Sequence, residues 1–177
     1  TQIAFFNSSN PAADVALGRW SSCGLLENGS VTCWGTGFLG SGGSGESKST
    51  PGKMWPNIGS GRTAVKLELG RWHNCVILDN SDLKCWGKDD NGQMGNGGGA
   101  VNNELTPKKV NLAPGVIPVG IITGHWHTCI LSQTHKIYCW GDGAYGKLGD
   151  GQTSANVFPT IPVNHFSGTN PVKAHGD

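Results

Sequence analysis

The stretch from Gly124 to Gly151, GHWHTCILSQTHKIYCWGDGAYGKLGDG, decides the fold because the chain contains it three times. The other copies begin at Gly18 and Gly70, and each keeps a cysteine pair, a Trp-Gly directly after the second cysteine and a glycine-rich tail. The first cysteines of the three copies are Cys23, Cys75 and Cys129. Successive copies are therefore 52 and 54 residues apart. A period near 50 residues is typical of propellers and solenoids.

The bulk composition favours a small all-β domain. The chain has 177 residues, enough for one domain with a core, and 29 of them are glycine, roughly twice the usual ~7%. Seven tryptophans argue against disorder. The net charge of +1 gives no electrostatic case for binding nucleic acid or an anionic membrane. No run approaches the ~20 apolar residues of a membrane helix, and the start TQIAFF fits a processed form or a piece of a longer chain.

The cysteine spacing predicts stapled hairpins. No pair has the C-x-x-C spacing of a zinc site. The first pair is symmetric about Asn28, so 27–29 becomes a three-residue loop in which Gly29 supplies the left-handed residue. Opposed Cα atoms in such ladders lie about 4.5–5.5 Å apart, within the range that a disulfide needs. The predicted bridges are Cys23–Cys33, Cys75–Cys85 and Cys129–Cys139. The alternative is three pairs of reduced, buried cysteines.

Persistent disulfides imply an oxidising compartment, so we expect a secreted or cell-surface protein. Two N-x-S sequons, at Asn7 and Asn28, are candidate glycosylation sites compatible with a secretory route.

The chain reads as one continuous array with about four strands per repeat, the size of a propeller blade. The inner strand of each copy is a continuous apolar or β-branched run, which predicts burial on both faces. Prolines mark an outer linking strand. The predicted units are a linking strand at 1–6, blade repeats at about 13–58, 65–112 and 119–163, and the start of a further unit at 170–177. Predicted linking strands follow at 51–58, 107–112 and 159–163.

Gly124-His125-Trp126-His127, Cys139-Trp140-Gly141 and Gly146 to Gly151 resemble the regulator-of-chromosome-condensation repeat. The Cys…Cys-Trp-Gly form is similar to the secreted branch of that family. The resemblance implies a β-propeller, usually of seven blades. Three blades cannot close a ring, since propellers have about four to eight. We therefore expect part of a longer propeller, a ring assembled from copies, or a filament.

No set of residues in the repeat predicts catalysis or a cofactor. His73 and His127 hold the position of the family's structural histidine, which implies a hydrogen bond within the blade, and the first copy has Ser22 there. His125 with His127 could share a sheet face and bind a metal, but no third ligand is evident. The turns at 89–92, 142–143 and 150–151 loosely resemble calcium loops without the ligand order, and turn chemistry is the favoured interpretation.

The tryptophans divide into two repeating sets and one unmatched residue. Trp34, Trp86 and Trp140 are expected to pack between blades. The possible ligand contacts are Trp20, Trp72 and Trp126 at strand ends and the unmatched Trp55. The predicted function is a non-enzymatic extracellular structural or protein-binding propeller that self-assembles or belongs to a longer array. The alternative is a carbohydrate-binding propeller that uses the rim tryptophans.

Overall fold

The computed structural model of the chain describes residues 3, 5–9, 11–43, 45–52, 56–97, 103–155 and 159. These residues form short antiparallel strands and one 3₁₀ turn at Ala144–Gly146, so the all-β prediction is confirmed. The strands are β1 Ala12–Leu17, β2 Ser21–Leu26, β3 Val31–Gly37, β4 Glu46–Lys48, β5 Ala64–Leu69, β6 His73–Leu78, β7 Leu83–Gly87, β8 Glu104–Lys109, β9 Pro118–Thr123, β10 His127–Ser132 and β11 Ile137–Gly141. None of the described helices is long and apolar enough to cross a membrane.

The strands group into three successive blades. Strands β1 to β4 form the first sheet in chain order, β5 to β8 form the second, and β9 to β11 form the third within the described residues. The inner strands β1, β5 and β9 lie side by side, so the blades are arranged around a common inner edge. Most of the predicted strand at 159–163, and all of the predicted unit at 170–177, lie outside the described residues.

The predicted linking strands are only partly correct. The fourth strand of the first blade is β4, which pairs with Gly35–Gly37 of β3, whereas the described part of 51–58 contains no strand. Two prolines lie in that segment, and proline cannot donate to a ladder. Strand β8 overlaps the predicted 107–112 but begins earlier. Phe5 and Phe6 lie in a turn rather than the predicted strand at 1–6, and the Phe6 N–H donates to Ile3 O at 3.1 Å.

The cysteine hairpins have the register that the spacing predicts. The two cysteines of each pair face each other across the ladder and are joined by a disulfide, with Cα atoms 4.1 Å apart. The bridges are Cys23–Cys33, Cys75–Cys85 and Cys129–Cys139, and no cysteine is free. In the first loop Gly29 has the expected positive φ of 78°. Ser81 and His135 adopt the same left-handed conformation in the other two loops, at 65° and 60°.

The prediction that the inner strands are buried on both faces is wrong. In β5, Leu67 and Leu69 are only 3% and 6% exposed. By ladder register their counterparts in β1 are Val15 and Leu17, which are 58% and 70% exposed. Leu67 and Leu69 are buried because the second blade packs against the first. Val15 and Leu17 are exposed because no blade among the described residues packs on the corresponding face of β1. Lys66, which alternates to the opposite face of β5 from Leu67, is exposed, so this inner strand buries one face and not both.

Candidate functional site: blade junctions, open ends and a basic aromatic rim

The tryptophans of the Trp-Gly pairs join each blade to the one before it. Trp86 and Trp140 are fully buried. The Trp86 indole N–H donates to Phe38 O at 3.1 Å, and that of Trp140 donates to Gln93 O at 2.9 Å. Each acceptor lies in the glycine-rich turn of the preceding blade, which confirms the predicted packing between blades. Trp34 differs, because it is half-buried and its ring lies 5.8 Å from that of Phe6.

The glycine after each tryptophan is required by the backbone. Gly87 has a φ of 118°, and a Cβ there would lie 2.3 Å from Trp72 O. That carbonyl accepts a hydrogen bond from Lys88 N–H at 2.8 Å, which ties the turn to the start of the hairpin. A side chain at this position would therefore break the connection as well as strain the backbone.

The buried histidine of the second blade bonds to the third blade, which corrects the prediction of a bond within one blade. His73 Nε2 lies 2.9 Å from Thr128 Oγ1, and that hydroxyl donates to Gln93 O at 2.9 Å. Because the single hydroxyl proton goes to the carbonyl, His73 must donate from Nε2. Burial, and secondarily the charge of His127, lowers the pKa of His73 to about 3, so the ring is neutral.

Ladder register corrects one alignment. Ser21 faces Gly35 as His73 faces Gly87, so Ser21, not Ser22, holds the histidine position in the first blade. Ser22 is instead the counterpart of Thr128, since Ser22 faces Trp34 as Thr128 faces Trp140.

The candidate metal pair forms no metal cluster in the part of the chain that the structure describes. His125 lies before β10 and accepts a hydrogen bond from Arg71 Nη1, whereas His127 begins the strand. Nδ1 of His127 is buried and has no partner among the described residues. Burial lowers the pKa of His127, and the charge of Lys147 adds to the effect.

The aspartate turns have the backbone-capping chemistry that the sequence favours. An aspartate Oδ1 accepts a backbone N–H in each turn: Asp89 from Met94 at 2.9 Å, Asp142 from Ala144 at 3.0 Å, and Asp150 from Gln152 at 2.9 Å. Asp89 is buried, and burial together with the charge of Glu104 raises its pKa to about 6. These carboxylates therefore stabilise the turns by capping their backbone N–H groups.

The connections between the first two strands of each blade form a row at one end of the sheets. A Cβ on Gly18 would lie 2.9 Å from Gly70 O, and one on Gly70 would lie 2.6 Å from Gly124 O, so adjacent connections are packed together. We call the six side chains that these connections carry the rim row: Arg19, Trp20, Arg71, Trp72, His125 and Trp126.

Cations face the indoles of the rim row. Arg19 Cζ lies 5.0 Å from the centre of the Trp20 ring, and Arg71 Cζ lies 5.6 Å from that of Trp126 and 6.0 Å from that of Trp72. Lys88 Nζ, from the second blade, lies 5.2 Å from the Trp126 ring. These cations occupy the surroundings on which a sugar would stack, so the geometry does not favour the carbohydrate-binding alternative.

Three sequence candidates remain: Trp55, Asn7 and Asn28. Trp55 lies outside the described residues. Asn7 and Asn28 are exposed, and each side-chain oxygen accepts a backbone N–H two residues later. Two features escape sequence reasoning. Phe6 packs on the first blade, and Tyr145 is 99% exposed with a φ of 64°. The only sequence signal for Tyr145 is an aromatic residue inside a glycine-rich turn.

These features define part of a disulfide-stapled β-propeller whose blades are clamped together by Trp-Gly tryptophans. Two family models of the Regulator of chromosome condensation (RCC1) repeat match the chain. One matches residues 12–41, 64–93 and 123–147, and the other matches residues 85–131. The matches cover more than half of the chain, and the chain belongs to the RCC1 repeat family.

The chain spans only a small part of the length of the relatives that it matches. The chain is 30% identical over 151 residues to the human E3 ubiquitin-protein ligase HERC2, which covers 84% of this chain and 3% of that protein. It is 27% identical over 129 residues to the Ultraviolet-B receptor UVR8 of Arabidopsis thaliana, covering 73% of this chain and 29% of the receptor.

Solved structures agree on the fold. Yeast RCC1 (Prp20), in a crystal structure with Kap60, superposes with a TM-score of 0.74 at 18% identity, over 88% of this chain and 37% of that chain. Human WBSCR16 gives a TM-score of 0.63 at 23% identity, over 72% of this chain and 33% of that one. At these identities the likeness shows the fold alone. The yeast complex is a case in which a propeller of this family binds a protein.

Proposed function

We propose that this chain is a non-enzymatic extracellular β-propeller module with a structural or protein-binding role, and that copies assemble through their open ends. One observation carries the proposal: the groups at the two ends match those that meet at the junction between the second and third blades. The head face consists of Val15, Leu17, Ser22 and Trp34 on the first blade. The tail edge consists of His127 and Lys147 on the third blade.

The junction between the second and third blades supplies the template. There a histidine donates to a hydroxyl, the hydroxyl donates to a turn carbonyl, and an indole N–H donates to the same carbonyl. At the tail edge His127 holds the histidine position, and Lys147 supplies the equivalent carbonyl before Leu148-Gly149. At the head face Ser22 holds the hydroxyl position and Trp34 the indole position. A second copy placed after the third blade would therefore complete all three hydrogen bonds.

The apolar side chains of the head face support the same arrangement. Val15 and Leu17 are exposed, although their counterparts in β5 are buried against the first blade. Fully burying one such side chain is worth about 1.5–3 kcal/mol. Phe6 already covers Gly24, since a Cβ on that glycine would lie 2.5 Å from the Phe6 ring, and a docked copy would replace Phe6 there.

The compartment and the absence of catalysis are supported by different features. Disulfides persist in oxidising compartments, and all six cysteines are bridged. His73 and Asp89, whose pKa values are strongly shifted, are buried, and each is hydrogen-bonded to a neighbouring blade or turn. A non-enzymatic role is consistent with that arrangement.

Analytical ultracentrifugation of the non-reduced chain tests the proposal. The 18.5 kDa chain should form larger particles as its concentration rises, and Leu17→Asp should return it to 18.5 kDa. Val65→Asp is the matched control, since Val65 is an exposed inner-strand residue away from both ends, and it should leave the mass distribution unchanged. A wild-type chain that stays at 18.5 kDa at every concentration would refute self-assembly.

A further inference from the structure

We infer that the rim row is a docking surface for a short acidic segment of a partner protein, with Arg19 and Arg71 binding its carboxylates and Trp20 packing against its apolar side chains. This inference gives the protein-binding part of the proposed function a surface and a partner chemistry.

Within the described residues, no carboxylate forms a salt bridge with either arginine of the rim row. Within the described part of the chain, the salt bridges join Arg62 to Asp79, Lys88 to Asp90, Lys109 to Asp82, and Lys147 to Asp142. Arg19 and Arg71 take part in none of these pairs. Arg71 donates to His125, and burial together with the charges of Arg71 and Arg19 keeps the pKa of His125 below its usual value. The neutral ring can therefore accept from Arg71 without neutralising it.

The two guanidinium groups are close enough to influence each other. Desolvation lowers the pKa of Arg71, and the charge of Arg19 adds to the effect. Arg71 Nε is also buried and has no hydrogen-bond partner among the described residues. A bound carboxylate would offset this repulsion and accept the N–H groups that remain free on both forks.

Stacking on tryptophan prepares the arginines for a ligand. Each planar guanidinium lies near an indole face, which restricts its rotamers and leaves its N–H edge available. Trp20 is 53% exposed beside Arg19 and offers apolar surface next to the charge. Tryptophan and arginine are the residues most enriched among energetic hot spots of protein interfaces. The row therefore has the composition of a protein-binding surface.

The neighbouring charges limit the partner to a short acidic segment. Asp90 and Asp142 accompany Lys88 and Lys147 beside the row, and the chain has a net charge of only +1. A long, rigid polyanion such as a nucleic acid would meet these carboxylates, whereas a short flexible peptide can place its acidic side chains on the arginines alone. Electrostatic complementarity contributes to specificity and association rate more than to raw affinity.

Isothermal titration of the intact, disulfide-bonded chain with octaglutamate tests the inference, with octaglutamine as the neutral probe and heparin as the sulfated one. Octaglutamate should bind, octaglutamine should not, and Arg19→Gln or Arg71→Gln should weaken octaglutamate at least about tenfold. Arg62→Gln removes the same charge away from the row and should change affinity less than about twofold. Arg19 is exposed, so its variant should remain folded even if Arg71→Gln does not.

The inference would be overturned by no binding of octaglutamate, by equal binding of octaglutamine, or by an equal loss in Arg62→Gln and Arg19→Gln. Heparin binding that depends on Arg19 without octaglutamate binding would also overturn it in favour of a sulfated glycan. Particle mass measured on the same samples separates the two proposals. Peptide binding by a chain that remains monomeric would refute self-assembly alone.

Discussion

Removing one hydroxyl should test whether the hydrogen bonds between blades hold the array together. Thr128→Val keeps the size and β-branching of the side chain but deletes Oγ1. That atom accepts from His73 Nε2 and donates to Gln93 O, each at 2.9 Å, in a fully buried environment. The change therefore acts on the junction between the second and third blades and leaves little cavity.

The expected cost follows from counting which groups lose their partner. Gln93 O keeps the indole N–H of Trp140 at 2.9 Å, so the acceptor remains satisfied. His73 Nε2–H loses its acceptor, and moving the proton to Nδ1 gives no relief because that atom is also buried without a partner among the described residues. One buried unpaired donor costs about 1–3 kcal/mol, so we expect a loss of about 2 kcal/mol in the free energy of unfolding.

Urea unfolding followed by tryptophan fluorescence measures this loss. With a slope of about 2 kcal/mol/M, the midpoint should fall by about 1 M. Thr36→Val is the control, because Thr36 is exposed and its hydroxyl makes only a 3.3 Å contact with Ser47, so its effect should stay within about 0.5 kcal/mol. In a His73→Leu background Thr128→Val should cost much less. An equal cost in both backgrounds, or a loss below about 0.5 kcal/mol in the wild type, would refute the reasoning.

Two further predictions concern protonation and close packing. Folding lowers the pKa of His73 from 6.5 to about 3, so its stabilisation is complete above pH 6.5 and falls by about 1.4 kcal/mol per pH unit below that. Folding raises the pKa of Asp89 from 3.8 to about 6, so this group adds stability as the pH falls from 6 to 4 and masks part of the loss from His73. In urea titrations between pH 6 and 4, the stability of Asp89→Asn should therefore fall more steeply than that of the wild type. Matching profiles of the two proteins would contradict this. Gly70→Ala would place a Cβ 2.6 Å from Gly124 O and should cost at least about 1–3 kcal/mol by calorimetry, whereas Gly52→Ala enters open space and should be near neutral; equal melting temperatures would contradict the packing argument.

The hairpins and their staples could be predicted because they are local. The two cysteines of each pair are ten positions apart, the first loop has a glycine at its left-handed position, and the pattern recurs in three copies, which leaves few ways to pair two adjacent strands. The family resemblance followed from the same recurring residues and is confirmed by the matches to the RCC1 repeat. Local pattern therefore gave the blade and its class.

The contacts between blades could not be read from a single repeat. The bond from His73 to Thr128 joins residues 55 apart, and the sequence pattern of either blade is satisfied without it. The burial of β1 was predicted from its apolar run, but burial depends on what lies opposite, and nothing in a strand's own residues specifies a preceding blade. The outer strand at 46–48 was missed because it contains no apolar residue and only three positions.

Equivalent residues of the blades differ in burial, and this difference marks the open end of the array. Val15 and Leu67 hold the same place in their blades, and Trp34 and Trp86 hold another, yet one member of each pair is exposed or half-buried and the other is buried. The residue type is the same kind in each pair, so the difference comes only from position in the array. A repeat that retains its interface chemistry at an open end is suited to receive another blade. The arginines of the rim row, Arg19 and Arg71, lie apart from the head face and the tail edge, so the proposed joining of copies and the proposed binding of an acidic segment would use different atoms of one scaffold.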